Sequence, residues 1–430
     1  MKFLRTVFAV VAFMAFAGPG ASVFAEDSGS ALVLTVDSAV EYALEGNLNV
    51  KQAAMTVEFK EMASHYAWNS VSPSISVNAG IGKVLAEDTK VTYSLGGSVA
   101  VRFTPSLISS IKKASLDYEQ QKISYDEAVR SVELNVRKLF YSILLEEENI
   151  VLLESAVTMA KTQYSANQAK FNHGTLSQLD VLNSQVNLQD AELNLESAKV
   201  SLENDMATFK QVLGLPGETK IKLSGSMDAF LKIGEISLDG LEIAPASVIS
   251  YKKQIEAAEN QLLATKFSAW GPTLSAGYSY SLAGNFGDEV KSHNKGSLSL
   301  SVSIPLDGYL PWSVGAQSIE TQKATIEILQ IQMENARISA DIEINKCLNK
   351  IKSAKDSIKL MRQRIDVAQK TYEMTQQAYN RGTRDILVLQ NAASSLQQSK
   401  LRLKSDTFNL VSAILDLENA AGLPFGTLLK

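Results

Sequence analysis

The sequence has 430 residues, a hydrophobic fraction of 45%, a charged fraction of 20% and a formal net charge of −5. This acidic balance, without a cluster of Lys and Arg, argues against a nucleic-acid partner. A single cysteine excludes an internal disulfide, and three scattered histidines lack the spacing of metal ligands. The sequence has no nucleophile–base pair and no phosphate-binding loop, so we predict neither catalysis nor a cofactor.

Residues 1–25 have the parts of a secretory signal peptide. Lys2 and Arg5 precede an apolar run, and Val23-Phe24-Ala25 offers a small-residue cleavage site. A first transmembrane helix is the alternative, but the run is short and Gly18-Pro19-Gly20 interrupts it. The rest of the chain lacks an apolar run long enough for a spanning helix.

The first repeat, residues 26–216, opens with a helical pattern from Asp37, the expected N-cap after a polar leader, to about Ser70. Gly46-Asn47 interrupts this pattern, which predicts a short helix followed by a longer one. Apolar and polar residues then alternate over residues 74–103, the pattern of a β-hairpin with one apolar and one polar face.

Residues 107–172 carry apolar side chains at alternating steps of four and three, with Glu146 and Asn167 in the two vacant positions. This period is typical of helices that supercoil left-handedly around their neighbours. Since the segment has no Pro or Gly, it predicts one helix of roughly 100 Å. A return helix over residues 179–213 is about half as long as this helix. Stacked end to end with the helix before the hairpin, it would lie alongside the long helix over its full length.

The chain then repeats itself with an offset of 208 residues (382 − 174 and 422 − 214) between equivalent glycines. A connector over residues 217–244 is expected at the belt of the rod. The second repeat, residues 245–430, again begins with a helix. Its further elements are a hairpin over 273–305, a long helix over 313–380 and a return helix over 386–421. Cys347 lies on its apolar stripe, which predicts a buried packing residue.

The four predicted strands have about the 9–11 residues that a tilted membrane strand needs. Their polar face is almost wholly Ser, Thr and Gly, which suits a wet lumen, although a sandwich with one face on a core is the alternative. Four strands cannot close a barrel, and an open edge cannot exist in lipid. Two copies would give eight strands and three copies twelve; the small inward residues favour three, because an eight-stranded barrel is filled by its side chains.

With these features the chain resembles the TolC-like outer-membrane efflux protein family. Gly174 followed by Asp180-Val181-Leu182 is similar to the family's Gly-x5-Asp-Val-Leu pattern, and residues 379–384 resemble the turn of the second half. The resemblance implies a mainly α fold with a small β part, in which long antiparallel coiled-coil helices form an α-helical barrel. Each chain would add four strands to a trimeric twelve-stranded membrane β-barrel.

The resemblance also implies function and partners. The chain would be the passive outer-membrane exit duct of a tripartite efflux or type I secretion system, extending into the periplasm. It would act as a homotrimer with a periplasmic adaptor and an inner-membrane transporter. The implied adaptor-docking residues are those of the two tip turns: Asn172, His173, Gly174, Thr175, Asn380, Arg381, Gly382 and Thr383. A need for tight turns could by itself account for the glycines.

Within the resemblance, Asp180, Tyr379 and Arg384 are the implied residues of a periplasmic gate. Each has a plainer alternative: Asp180 as the N-cap of the return helix, Tyr379 as a packing residue, and Arg384 as part of a solvated turn. Val388 and Asn391 stand where the family pattern has acidic residues, so an acidic ring would be weaker here.

Two rival functions stay open at this point. The first is a soluble periplasmic coiled-coil protein with a structural or interaction role, in which the hairpins pack as a small sandwich. The second keeps the channel and changes its cargo, because the lumenal residues do not separate drugs, metal ions and secreted polypeptides.

Overall fold

The computed structural model describes residues 32–83, 91–227, 230–231, 234, 236, 243–285 and 293–429. The predicted signal peptide, the tip of the first hairpin and much of the predicted connector lie outside these described residues. None of the helices that the structure describes combines the length and the apolarity needed to cross a membrane.

The described residues form seven α-helices and six strands. In chain order they are β1 (Leu32–Leu34), α1 (Val36–Gly46), α2 (Leu48–His65), β2 (Ser74–Gly82), β3 (Thr92–Phe103), α3 (Ser106–Asn172), α4 (Gln178–Leu213), β4 (Ile221–Leu223), α5 (Ala246–Trp270), β5 (Thr273–Asn285), β6 (His293–Ser303), α6 (Val314–Asn380) and α7 (Ile386–Ala421).

The two long helices, α3 and α6, have 67 residues each, and each is followed by a return helix of 36 residues. A helix of that length extends about 100 Å. The shorter helices α2 and α4 both pack against α3, and α5 and α7 both pack against α6. Two short helices therefore lie along each long one, as the lengths in the sequence predicted.

The break between α1 and α2 lets the carboxyl end of α4 pack directly against it. Asn47 caps α2 by accepting a hydrogen bond from the Asn49 N–H, and its Nδ2 donates to the Val212 carbonyl at 2.9 Å. A Cβ atom on Gly46 would lie 2.3 Å from the Leu213 carbonyl oxygen. Only glycine allows so close an approach, so α4 ends directly against the start of α2.

Both ends of the first predicted helical segment differ from the sequence prediction. The N-cap of α1 is Thr35, not Asp37: the Ser38 N–H donates to Thr35 Oγ1 at 3.3 Å, and the Thr35 N–H donates to Ser38 Oγ at 2.9 Å. Thr35 has the extended backbone of a cap, whereas Asp37 lies in the first turn and pairs with Arg137 at 3.2 Å. Further on, α2 ends at His65, and a 3₁₀ segment (Tyr66–Val71) continues toward the sheet.

The polar leader expected before α1 contains a strand instead. Leu32–Leu34 pairs in parallel with Ile221–Leu223 from the predicted connector. Leu34 and Leu223 are both buried, so this pair places residues 32–34 and residues 221–223 of the predicted connector on the hydrophobic core. A three-residue strand is too short to show a period, which is why the sequence pattern did not reveal it.

One hydrophobic core lies midway along the long helices. We call this region the belt; it comprises α1, β1, β4, residues 132–145 of α3, residues 344–358 of α6 and the carboxyl ends of α4 and α7. Phe140 and Phe209 are 1% and 0% exposed, with ring centroids 6.4 Å apart. Cys347 is fully buried in this core, as the apolar stripe predicted.

The four-stranded sheet has the strand order β2-β3-β5-β6, and every pairing in it is antiparallel. The two hairpins thus join through β3 and β5, far apart in sequence. Within the described chain, the outer edges of β2 and β6 have no partner strand. Each strand leads into a helix or out of one, so the sheet lies at the end of the helical rod.

Candidate transport site

One face of the four-stranded sheet is apolar and uncovered. On β2, Ile75, Val77 and Ile81 are 75%, 78% and 76% exposed, and on β6, Leu298 and Leu300 are 84% and 74% exposed. The register places these rows opposite the apolar residues of β3 and β5, so the whole face is continuous. A monomer in water would not leave such a face open, and a face of this kind fits lipid.

The opposite face is lined mainly by small polar side chains, several of which hydrogen-bond to one another across the strands. The hydroxyl pairs are Ser76–Ser98 at 2.8 Å, Ser275–Ser301 at 3.1 Å and Ser279–Ser297 at 2.8 Å. Because these groups satisfy one another and none is large, the face can border water without filling the space in front of it. That is the property of a lumenal surface.

The turn between α3 and α4 is a Schellman cap at the other end of the rod. The Gly174 N–H donates to the Phe171 carbonyl at 2.8 Å, and the Thr175 N–H donates to the Lys170 carbonyl at 2.9 Å. Gly174 has φ of 72°, the left-handed conformation that the motif needs at this position. The sequence around Gly174 therefore encodes a tight end to α3.

The turn between α6 and α7 repeats the same bonds 208 residues later. The Gly382 N–H donates to the Tyr379 carbonyl at 2.9 Å, the Thr383 N–H donates to the Ala378 carbonyl at 3.0 Å, and Gly382 has φ of 73°. A Cβ atom on Gly174 or Gly382 would meet nothing within 4 Å. The predicted docking residues of both turns are exposed.

Asp180 lies close to the first turn but does not cap its helix. Ser177 is the N-cap of α4, accepting from the Asp180 N–H at 3.2 Å and donating its own hydroxyl to Asp180 Oδ2 at 2.6 Å. The N-cap alternative for Asp180 is therefore wrong, because Ser177 already holds the extended cap conformation. In the second turn the cap is Asp385, which accepts from the Leu387 N–H at 3.4 Å.

Tyr379 is buried, and its hydroxyl joins the two halves of the chain. It is 6% exposed, and its OH donates to Asn167 Oδ1 on α3 at 2.6 Å. The Lys170 ammonium lies 4.7 Å from the centre of its ring. Burial, together with the negative charge of Asp180, raises the pKa of the Tyr379 phenol. Tyr379 is thus both a packing residue and the donor of a long-range hydrogen bond.

Arg384 is exposed, and no ion pair joins it to another residue in the described ranges of the chain. It therefore does not meet Asp180 within one chain. Val388 is 41% exposed, and Asn391, one turn further, is also exposed.

Asn167 and Lys170 also lie at the tip, although no sequence motif indicated a role for them in the gate. Asn167 is fully buried although it is polar, and Gln163 Nε2 also donates to its Oδ1 at 2.9 Å. The available signal was its place in the apolar stripe, where a polar residue must find a partner on another helix. The partner itself lies 212 residues away, which no local pattern shows.

Comparison with known proteins gives the same architecture. The sequence profile of the family described as outer membrane efflux protein matches residues 39–215 and again 246–423. Toxin and drug export protein A of Aggregatibacter actinomycetemcomitans is 22% identical over 397 residues, which is 87% of this chain and 83% of that protein. Outer membrane protein TolC of Escherichia coli is 22% identical over 341 residues, 76% of this chain and 69% of the relative.

A solved structure similar to this chain is the Campylobacter jejuni CmeC outer membrane channel. The two superpose with a TM-score of 0.76 at 16% sequence identity, and the superposition covers 90% of this chain and 85% of the CmeC chain. The predicted fold class, a mainly helical, internally duplicated chain with a small β part, is confirmed.

Proposed function

The chain belongs to the outer membrane efflux protein family, and we propose that three copies of it enclose one continuous duct for export. The protein is a channel component rather than an enzyme, and it resides in the outer membrane and extends into the periplasm. In this proposal the sheets of three copies form a barrel in the membrane, and their helices continue the passage toward the inner membrane.

The observation that supports a three-copy duct best is the two-faced sheet with unpaired outer edges. In lipid each unpaired backbone group costs several kcal/mol, so β2 and β6 must pair with strands of neighbouring copies. Two copies would give eight strands, whose interior large side chains normally fill. The serine and glycine face cannot fill it, whereas twelve strands leave an open lumen.

Reconstitution of the mature protein in a planar bilayer tests the duct. We expect discrete conductance steps and a membrane fraction that detergent, but not high salt, extracts. The rival function, a soluble periplasmic coiled-coil protein, requires the opposite: full solubility without detergent and no conductance.

We further propose that the two exposed tip turns bind the periplasmic adaptor. The support is geometric: Gly174 and Gly382 hold both turns in the same shape, and no described residue covers them. The double substitution His173→Glu and Arg381→Glu, which places a carboxylate on each turn, should abolish co-purification of the adaptor. Lys199→Glu, at an exposed position in the middle of α4, is the matched control and should leave it intact. Equal recovery with both sets would exclude the turns as the docking surface.

The cargo class follows from the transporter that co-purifies with the duct and its adaptor. Recovery of a drug-type pump would make the protein the exit of an efflux system, and recovery of an ATP-driven peptide transporter would make it the exit of type I secretion. The name of one relative, toxin and drug export protein A, includes both kinds of cargo for that relative.

For the gate, we propose that the Tyr379–Asn167 hydrogen bond holds the two helical hairpins together within each copy. A buried hydrogen bond contributes about 0.5–1.5 kcal/mol net, while an unsatisfied buried donor costs about 1–3 kcal/mol. Asn167 Nδ2 is such a donor, since it has no partner among the described residues. The gain from this hydrogen bond and the cost of the unsatisfied Asn167 donor thus partly cancel, so the contact holds the two hairpins together only weakly, as a gate that must open requires.

Tyr379→Phe tests this contact, and Tyr372→Phe provides a matched control. Tyr372 lies seven residues earlier on the same helix stripe, and its hydroxyl donates a weak hydrogen bond to Met159 Sδ at 3.8 Å. Phe at position 379 should raise single-channel conductance, and Phe at position 372 should not. Identical traces for the two variants would exclude the hydrogen bond from the gate.

Arg384 and Asp180 are proposed to act between copies, because they do not pair with each other within one chain. Replacing both with Ala should also raise single-channel conductance. Unchanged conductance would remove these two residues from the gate and leave the Tyr379–Asn167 contact untouched, so the two parts of the proposal are separable.

A further inference from the structure

Two charged side chains lie on the polar face of the described strands, and both are basic. Arg102 on β3 lies opposite Ser275, and Lys295 on β6 lies opposite Ser281. Since side chains alternate between faces, both share the face that carries the serine hydroxyl pairs. Both residues are exposed.

No acidic residue balances them within the sheet. The four strands as described contain neither Asp nor Glu on either face. No ion pair joins Arg102 or Lys295 to another residue of the described chain. Within the described strands, each copy therefore carries two positive charges and no negative charge, and three copies would carry six positive charges.

The two basic positions lie at different depths. Their partners Ser275 and Ser281 are six residues apart on β5, which corresponds to about 20 Å along the strand. Arg102 is near the point where β3 leads into α3, and Lys295 is toward the far end of the sheet. Between them the face is neutral and consists mainly of Ser and Gly.

We propose that these residues form two positive rings that make the barrel prefer anions, so that Arg102 and Lys295 are selectivity-determining residues. The inference rests on the proposed three-copy duct. At 0.1 M salt the Debye length is about 10 Å. The electrostatic fields of two rings about 20 Å apart therefore together reach the whole stretch of lumen between the rings. Because the serine and glycine side chains are small, water fills the part of the lumen between the two rings. Small anions such as chloride or carboxylates can then accumulate there.

The neutral residues at the other end of the duct agree with this preference. Val388 and Asn391 leave the second tip without the acidic ring that would favour cations. Solutes bearing carboxylate or phosphate groups would then meet no acidic side chain at positions 388 and 391 of that tip and two positive rings in the barrel.

The test is the reversal potential of the reconstituted parent in a potassium chloride gradient. We expect a chloride-to-potassium permeability ratio above one. In R102Q/K295Q the ratio should fall by about twofold or more at 0.1 M salt, and by less at 1 M, where the Debye length is about 3 Å. The charge-retaining variant R102K/K295R should keep the parental ratio, and each single glutamine variant should show part of the fall.

The outcomes separate the inference from the duct on which it rests. A parent that does not conduct overturns the duct and this inference together. A parent that conducts with a ratio at or below one, or with a ratio that R102Q/K295Q leaves unchanged, overturns the anion preference alone. Native mass measurement of each variant shows whether it has the parental assembly state.

Discussion

The belt and the two ends of the molecule are built from the same long helices, yet the large hydrophobic core of the described residues lies in the belt. In the belt, Phe140 and Phe209 are almost wholly excluded from solvent. At the sheet end, Leu298 is 84% exposed, and at the tip end a Cβ atom on Gly174 would have no neighbour within 4 Å. One chain therefore buries its own middle, whereas large apolar or backbone surfaces at both ends stay exposed within the described chain.

The helix ends make the same contrast on a smaller scale. Four helices end in a glycine with φ between 72° and 75°, at Gly174, Gly214, Gly382 and Gly422. In the belt, a Cβ on Gly214 would lie 2.5 Å from the Gly46 oxygen, and one on Gly422 would lie 2.3 Å from the Ala244 oxygen. At the tips the same turn faces open space. One local signal therefore serves close packing in one place and an exposed turn in the other.

The largest effect should come from removing a belt side chain. Phe209→Ala deletes a fully buried ring, and such substitutions cost about 3–5 kcal/mol. Phe171→Ala, which removes a partly exposed ring at the tip, is the matched control and should lower the free energy of unfolding far less. Urea unfolding followed by circular dichroism measures both. Similar losses at the two positions would mean that the belt is not the stabilising core.

The next effect concerns the two faces of the sheet. Leu300→Arg places a charge on the apolar face and should cost about 2–4 kcal/mol if that face meets lipid. Ser299→Arg, one residue away on the same strand, puts the charge on the polar face and should be tolerated. Folding into lipid vesicles at graded urea concentrations gives both values. Equal tolerance of the two arginines would exclude a lipid-facing surface.

A third comparison uses the repeated glycine turn. Gly214→Ala and Gly174→Ala both force alanine into the left-handed region, at a shared cost of about 1–2 kcal/mol. Only Gly214→Ala also drives a methyl group into the Gly46 backbone, and overpacking of this kind adds about 1–3 kcal/mol. The same unfolding assay should rank them in that order, and a reversed order would contradict the tight contact at the belt.

The smallest predicted effect is a pH dependence of the belt. Glu418 is fully buried and accepts backbone hydrogen bonds from Gly426 at 3.0 Å and Leu428 at 2.8 Å, while burial raises the pKa of its carboxyl group above 4.5. Because the folded state holds this proton more tightly, its contribution to stability is complete below pH 4.5. It is lost as the pH rises through the folded pKa.

As the pH rises from 4.5 through the folded pKa of Glu418, the free energy of unfolding should therefore decline more steeply for the parent than for Glu418→Gln, which has no titratable group at position 418. Parallel declines would show that Glu418 titrates alike in the folded and unfolded chain.

Much of the fold could be predicted because its elements are long and clearly bounded. The 3.5-residue period and the absence of Pro and Gly predicted α3 over residues 107–172, and it spans Ser106–Asn172. Strict alternation likewise predicted the sheet. The pairing of Leu32–Leu34 with Ile221–Leu223 was missed because each strand has three residues and the partners are far apart.

The candidate site was less accessible to sequence reasoning. The tip turns followed from glycine and threonine at fixed spacing, but the Tyr379–Asn167 contact depends on how two distant helices meet. The Ser177 cap was missed because Asp180 has the same capping chemistry three residues later, and only backbone conformation decides between them. Local preference identifies candidates, and tertiary contacts decide among them.

The most direct test of the account is the mass of the detergent-solubilised mature protein, measured by native mass spectrometry. A three-copy duct requires a single species with the mass of three chains, because the sheet of one chain supplies only part of a barrel wall. A stable species with the mass of one chain, whose sheet edges are unpaired, would contradict it.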